Sequence, residues 1–372
     1  MRITVVCADL SQNALSRANL VSEILALDHE VDLIGTRFGA AVWAPARDRH
    51  FAYVAPGARR PWFARTAAAL RRAIRGDLVF AMKPLPSSYG IALEHRRRTG
   101  VPIVLDIDDE ELSFRPPPSP RNPRRLLSSL LDPNGRRWTE RTIARAAEAD
   151  AVTVASTGLR ARYGGVIVPH AKDTDRLRPR LVDRDAARRA AGLEGLPVVM
   201  FMGTPRPFKG IEDAAEAVQR MTTPARFVLV GADANAPYVR QLVQAYPGIR
   251  LLPPYGLDDV ASLLEMADVV VVPQRLAPQT VHQQPSKLLD AMALAKPVVA
   301  TDVADIGAIL SAGRGSVVPP GDVGAMAAAL DRVLRDPIGA AAMGARAREW
   351  VVEHGSYRAM RVVLGRVIEE VL

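Results

Sequence analysis

Short apolar runs bounded by Gly, Pro or Asp recur along this chain, and between them apolar residues return at helical spacing. Residues 3–8, 29–35, 77–82, 101–106, 147–156 and 165–169 read as strands of one sheet. Residues 198–202, 226–231, 249–252, 268–273, 297–301 and 316–319 read as strands of another. Several of these runs are apolar throughout rather than alternating, which suits parallel strands covered on both faces. Leu20, Ile24 and Leu25 mark a helix after the first strand. Tyr357, Met360, Leu364, Val367, Ile368 and Val371 mark another at the end. The β–loop–α–β order predicts an α/β chain with two Rossmann-like, doubly wound parallel-sheet domains. The expected division is an N-terminal domain over 1–175, a C-terminal domain over 176–355, and a helix over 356–372 that returns to the first.

The strand over 198–202 runs into GTPRPFKG, and the chemistry begins there. Gly203 permits a turn that a side chain would obstruct, while Pro205 and Pro207 stiffen the loop. Arg206 and Lys209 place two cations at the start of a helix that begins near Ile211. Free N–H groups at a helix start favour an anion, and the carboxyl end of a parallel strand is where such sheets hold phosphate. Taken alone, the stretch reads equally well as an ordinary strand–loop–helix connection with solvated cations.

A second stretch, QQPSKLLDAMALAKPVVATD over 283–302, reads as loop, helix, tight turn and strand. Ser286 is a candidate cap. Lys287 and Asp290, three apart, share one face of the first turn. Lys287 with the helix N-terminus suits a diphosphate, and Asp290 suits two adjacent ribose hydroxyls. The plain alternative is a surface ion pair of little energy. In the first half, Arg17 near a helix start is either a ligand contact or, more simply, a solvent-exposed cation. Lys83, Ser87 and Ser88 follow a strand. Asp106 and Asp108 stand at the exit of a central strand, placed to bind hydroxyls or to supply a base; the alternative is a solvated acidic loop.

The second half resembles the nucleotide-binding domain of glycosyltransferase family 4, glycosyl transferases group 1. The family's Gly-Arg-x4-Lys-Gly loop stands here as Gly203, Thr204, Lys209 and Gly210. Its two glutamates eight apart, ahead of Ala-Met-Ala, stand as His282 and Asp290. VPHAKD over 168–173 is similar to its Pro-Asn-Gly-Val-Asp at the domain junction. The resemblance implies a GT-B fold, with the two domains facing across a cleft, and a hexosyltransferase-type enzyme that uses a nucleotide-diphosphate sugar. It assigns the donor to Gly203, Thr204, Lys209, Tyr255, Ser286, Lys287 and Asp290, with Tyr255 beside the base. It places Lys209, Arg206 and His282 at the chemistry, His282 by the donor sugar. Arg17, Asp106 and Asp108 remain the acceptor-side candidates. The family implies retaining transfer with no metal and no cofactor beyond the donor. The acceptor is a glycan, a lipid-linked molecule or a small molecule. Thr204 for arginine and His282 for glutamate keep a second reading open: a GT-B nucleotide-sugar epimerase, or a non-catalytic nucleotide-sugar-binding subunit.

Composition changes this picture little. The net charge is +9, yet aromatic residues are 5% and do not interleave with the basic ones, so nucleic acid is not expected as a partner. Residues 114–145 combine PPPSP with Arg121, Arg124, Arg125, Arg136, Arg137 and Arg141 around LLSSLL and Trp138. Such a segment can be a lid, a peripheral contact with an anionic membrane, or a plain excursion. The single cysteine, Cys7, permits no internal disulfide. MRITVVCADL is too short an apolar run for a secretory signal and reads as a first strand. A cytoplasmic protein is expected, with the inner membrane face as its one candidate surface.

Overall fold

The computed structural model describes residues 1–115, 117, 123–180 and 182–372, and the chain divides into two compact units. One is Met1–Pro169 with Met360–Leu372; the other is His170–Ala359. The first boundary falls earlier than position 175, so the segment 170–175 folds with the second unit.

The first unit holds a seven-stranded sheet: β1 (Arg2–Cys7), β2 (Glu30–Arg37), β3 (Tyr53–Pro56), β4 (Leu78–Met82), β5 (Ile103–Ile107), β6 (Ala151–Val154) and β7 (Val166–Ile167). Their spatial order is β3-β2-β1-β4-β5-β6-β7, and the pairings are parallel. The reversal at β1/β4 is the switch point of a doubly wound sheet. Strand β3 was not expected from the pattern. It is short, lies at the edge, leaves Tyr53 37% exposed and ends in Pro56, so it carries little of an apolar-run signal. Helix Tyr357–Val371 buries Met360, Leu364, Val367 and Ile368, the stripe read from the sequence.

The second unit holds β8 (Val198–Met202), β9 (Arg226–Val230), β10 (Arg250–Leu252), β11 (Val269–Val272), β12 (Val298–Thr301) and β13 (Ser316–Val318), in the order β10-β9-β8-β11-β12-β13. These pairings too are parallel. Strand β8 lies at the centre, and its side chains divide between two cores. Val198, Met200 and Met202 join one; Val199 and Phe201 join the other. Burying each such side chain contributes about 1.5–3 kcal/mol. That double cover explains why the run is apolar without interruption.

Candidate donor site

Gly203 ends β8 in the left-handed region, with φ 117°, and a Cβ there would lie 3.3 Å from the Lys287 ammonium. A side chain would therefore be strained and would crowd that cation. Gly210, with φ 65°, lies so close to β11 that a Cβ would come within 1.9 Å of the Pro273 carbonyl oxygen. The loop between these glycines is thus held to the sheet at both ends. Within it Lys209 donates from Nζ to the Thr204 carbonyl at 2.7 Å, while Thr204 and Arg206 are exposed.

The helix Ile211–Arg220 starts where the sequence places it, but its first turn carries Glu212 and Asp213. Asp213 accepts from Arg275 Nε and Nη2 at 2.8 and 2.6 Å. That N-terminus is already supplied with carboxylates. The helix Ser286–Ala293 has no acid in its first turn and carries Lys287 there, so the better anion pole is at this second helix. Ser286 is not its cap. It is the first helical residue, after Pro285, and its hydroxyl accepts from Lys172 Nζ at 2.7 Å.

Lys287 Nζ stands 3.5 Å from the centroid of the Phe201 ring. Burial, and then the nearby charge of Lys209, push this ammonium well below the usual lysine range, with Asp290 acting the other way. Lys287 thus lies within electrostatic reach of both Lys209 and Asp290, which come from separate chain segments. Tyr255 closes the same region: a Cβ on Gly231 would be 3.0 Å from its Cε1. Burial, and after it Asp290, raise the Tyr255 hydroxyl above its ordinary value. His282 is partly buried in the loop between β11 and the helix Ser286–Ala293. The backbone of that loop reaches the first one, since Arg275 N–H donates to the Phe208 carbonyl at 3.1 Å.

Sequence reasoning missed Lys172. Its ammonium lies 2.7 Å from Asp290 Oδ1, so the acid assigned to ribose has a lysine partner from 170–175. The available signal was VPHAKD itself, in which Lys172 falls at the valine of the family motif.

In the first unit Arg17 is 1% exposed, not solvated. Its Nε and Nη2 donate to the two Asp106 carboxylate oxygens at 3.0 and 2.9 Å. Nη1 donates to the Pro169 carbonyl and Nη2 also to that of Val168. Thr153 Oγ1 donates to Asp106 as well. At 1% exposure each, Arg17 and Asp106 present no surface to an acceptor and tie helix, strand and chain exit together instead. Asp108 is 5% exposed and is not part of a solvated loop. Lys83, in the left-handed region with φ 72°, binds Asp108, Asp109 and Glu111 at 2.7, 2.9 and 2.7 Å. Those three carboxylates are close enough to share a metal ion, and the Lys83 ammonium bonds an oxygen of each. Burial lifts Asp108 to about 6, opposed by Lys83 and reinforced by Asp109 and Asp106.

Of the basic segment, Arg121 lies outside the described residues, as does the Arg125 side chain. Arg137 and Arg141 gather with Arg60 around Trp138, at 5.7, 5.1 and 4.0 Å from the ring. Arg136 pairs with Glu140 at 2.8 Å. On the helix Pro123–Leu131, Leu126 and Leu127 are 40% and 58% exposed beside exposed Arg124. No helix among the described residues is long and apolar enough to cross a membrane.

Two doubly wound parallel sheets, the second with glycines and lysines at its strand exits, define a GT-B fold. The chain aligns with the Anabaena protein HepE, solved in complex with UDP-glucose, at TM-score 0.77 over 99% of each chain, with 15% identity. Residues 196–336 match the family model for glycosyl transferases group 1, and the resemblance carried by the 203–210 loop and the Ser286 helix holds. Among curated relatives, the alpha-D-kanosaminyltransferase of Streptomyces kanamyceticus is 28% identical over 65% of this chain and 63% of its own length. The D-inositol 3-phosphate glycosyltransferase of Geodermatophilus obscurus is 35% identical over 50% of this chain and 46% of its own. The chain therefore spans less than two thirds of these relatives.

Proposed function

We propose that the protein is a glycosyltransferase that takes a sugar from a nucleotide-diphosphate donor held on the second unit. The observation that carries this is the meeting of two segments at Lys287, whose ammonium on the Ser286 helix lies against Gly203 and the Phe201 ring at the end of β8, within electrostatic reach of Lys209 and Asp290. A diphosphate beside Lys287 and Lys209, with a ribose at Asp290, fits that spacing of charge. The bond from the anomeric carbon to the diphosphate oxygen breaks, and a bond to an acceptor hydroxyl forms. Negative charge grows on the departing diphosphate, where Lys209, Lys287 and Arg206 stabilise it in place of a metal. The acceptor proton passes to the departing phosphate, which corresponds to retaining transfer, and His282 lines the donor sugar.

The relatives named as glycosyltransferases support this class, and HepE's complex with UDP-glucose supports a nucleotide sugar as the donor class. The epimerase and the non-catalytic subunit find no support in these likenesses. The acceptor is a hydroxyl-bearing glycan, lipid-linked molecule or small molecule. The exposed pair Leu126 and Leu127 beside Arg124 is the surface at which an anionic membrane would be met.

A nucleotide and nucleotide-sugar panel read by thermal stabilisation tests the donor, because a ligand of the folded state raises Tm. A donor-cleavage assay with candidate acceptors then tests transfer. Lys209→Ala is expected to lower transfer about 10²-fold with Tm unchanged. Full turnover in that variant removes the role given to Lys209.

A further inference from the structure

We infer that Lys172 and Asp290 form one ribose-recognising unit, with Lys172 the positioning residue that fixes how Asp290 faces the sugar diol. This rests on the donor site proposed above.

Ser286 and Asp290 stand one turn apart on one face of their helix. Lys172 Nζ bridges them, at 2.7 Å from Ser286 Oγ and 2.7 Å from Asp290 Oδ1. The lysine starts from a fixed point. Its N–H donates to the Gly355 carbonyl at 2.8 Å, and its own carbonyl accepts from Tyr357 N–H at 2.9 Å. The two side chains are only 10% and 16% exposed, so the pair lies in a poorly solvated place where its geometry is stiff. With Oδ1 engaged by the ammonium, Oδ2 is the oxygen assigned to the 2′- and 3′-hydroxyls. A diol needs an oriented acceptor, and the lysine supplies that orientation.

The two departures from the family motifs thereby explain each other. Where the motifs have valine and glutamate, this chain has Lys172 and Asp290. The aspartate is shorter by one methylene, and the lysine reaches in to hold it. Changing one member alone leaves a partly buried charge without its partner or forces a longer carboxylate onto the ammonium.

The test uses the full chain and four probes, UDP, GDP and their 2′-deoxy forms, in calorimetric titrations of wild type, Lys172→Val, Asp290→Glu and the double variant. Wild type is expected to prefer the ribonucleotide about tenfold or more, the scale of hydrogen bonds to a charged group. Lys172→Val loses most of that preference although Asp290 is still present. Lys172→Arg restores part of it, and the double variant binds better than the two single losses combined would allow. Thermal unfolding without ligand identifies any variant that fails to fold, in which case Lys172→Arg and Asp290→Glu carry the comparison. An unchanged ribose preference in Lys172→Val, or strictly additive losses in the double variant, overturns the inference while leaving the donor site standing. If wild type binds none of the four probes, the donor reading falls and this inference falls with it.

Discussion

Arg17 and Lys83 in the first unit, and Lys209 and Lys287 in the second, all stand near where parallel strands end, yet their surroundings differ in kind. Arg17 is matched to both oxygens of Asp106 and to two carbonyls; Lys83 is matched to three carboxylates. In the second unit Asp290 is paired with Lys172, and Asp213 beside the 203–210 loop is paired with Arg275, while Lys209 and Lys287 lie near each other. Burial with Lys209 nearby lowers the Lys287 pKa, whereas the carboxylates raise that of Lys83 against its burial. Matched charge in the interior holds chain segments in place. Like charge held near glycines at strand exits, as at Lys209 and Lys287, is what the proposed anion site rests on.

This contrast can be broken experimentally. The largest effect is expected at the matched pair. Asp106→Ala leaves Arg17 buried without its carboxylate, a loss of about 3–5 kcal/mol, read as a fall in the denaturation midpoint. A stability change below 1 kcal/mol there, on the order of an exposed pair, would put Arg17 and Asp106 outside the architecture. Lys287→Met should act in the opposite sense. Removing a poorly solvated cation that lies near another leaves Tm unchanged or higher, while affinity for a nucleoside diphosphate falls about tenfold or more. The same residue gives a pH signature. Lys287 is held low in the free protein, and a bound diphosphate raises it, so binding takes up a proton. Affinity therefore falls as pH rises between the free and bound pKa values. Titration of UDP in buffers of different ionisation heat counts that proton, and Lys287→Met should lose it. A proton count unchanged by the substitution would remove Lys287 from the diphosphate site.

The smallest effect is at Asp108. Its pKa is lifted to about 6 from an ordinary value near 4. A carboxyl raised on folding favours the fold fully below its ordinary pKa, and that contribution is lost as pH rises through about 6. Wild-type Tm should therefore decline across this window more than that of Asp108→Asn. Parallel pH profiles for the two would show that Lys83 keeps Asp108 ionised throughout.

Much of the fold was legible in the chain because doubly buried strands leave uninterrupted apolar runs, as at 198–202 and 268–273. The edge strand β3 was not, because a strand with half its surface in water is composed like a loop. The two stretches on which the donor proposal rests stood out for a similar local reason: glycines, prolines and cations sit within a few residues of one another in GTPRPFKG and PSKLLD.

What the sequence by itself determined was the class of element, the parallel α/β architecture and the two stretches proposed to hold the donor. Each of these depends on residues close together along the chain. Only the tertiary structure decided which charges are spent. Arg17 meets Asp106 across 89 residues, and Lys172 reaches Ser286 across 114. A buried ion pair leaves no local pattern, since its partners are chosen by how the strands are ordered in the sheet. The same lysine or arginine code serves a solvated surface, a structural tie or a ligand contact, and burial with its neighbours settles which.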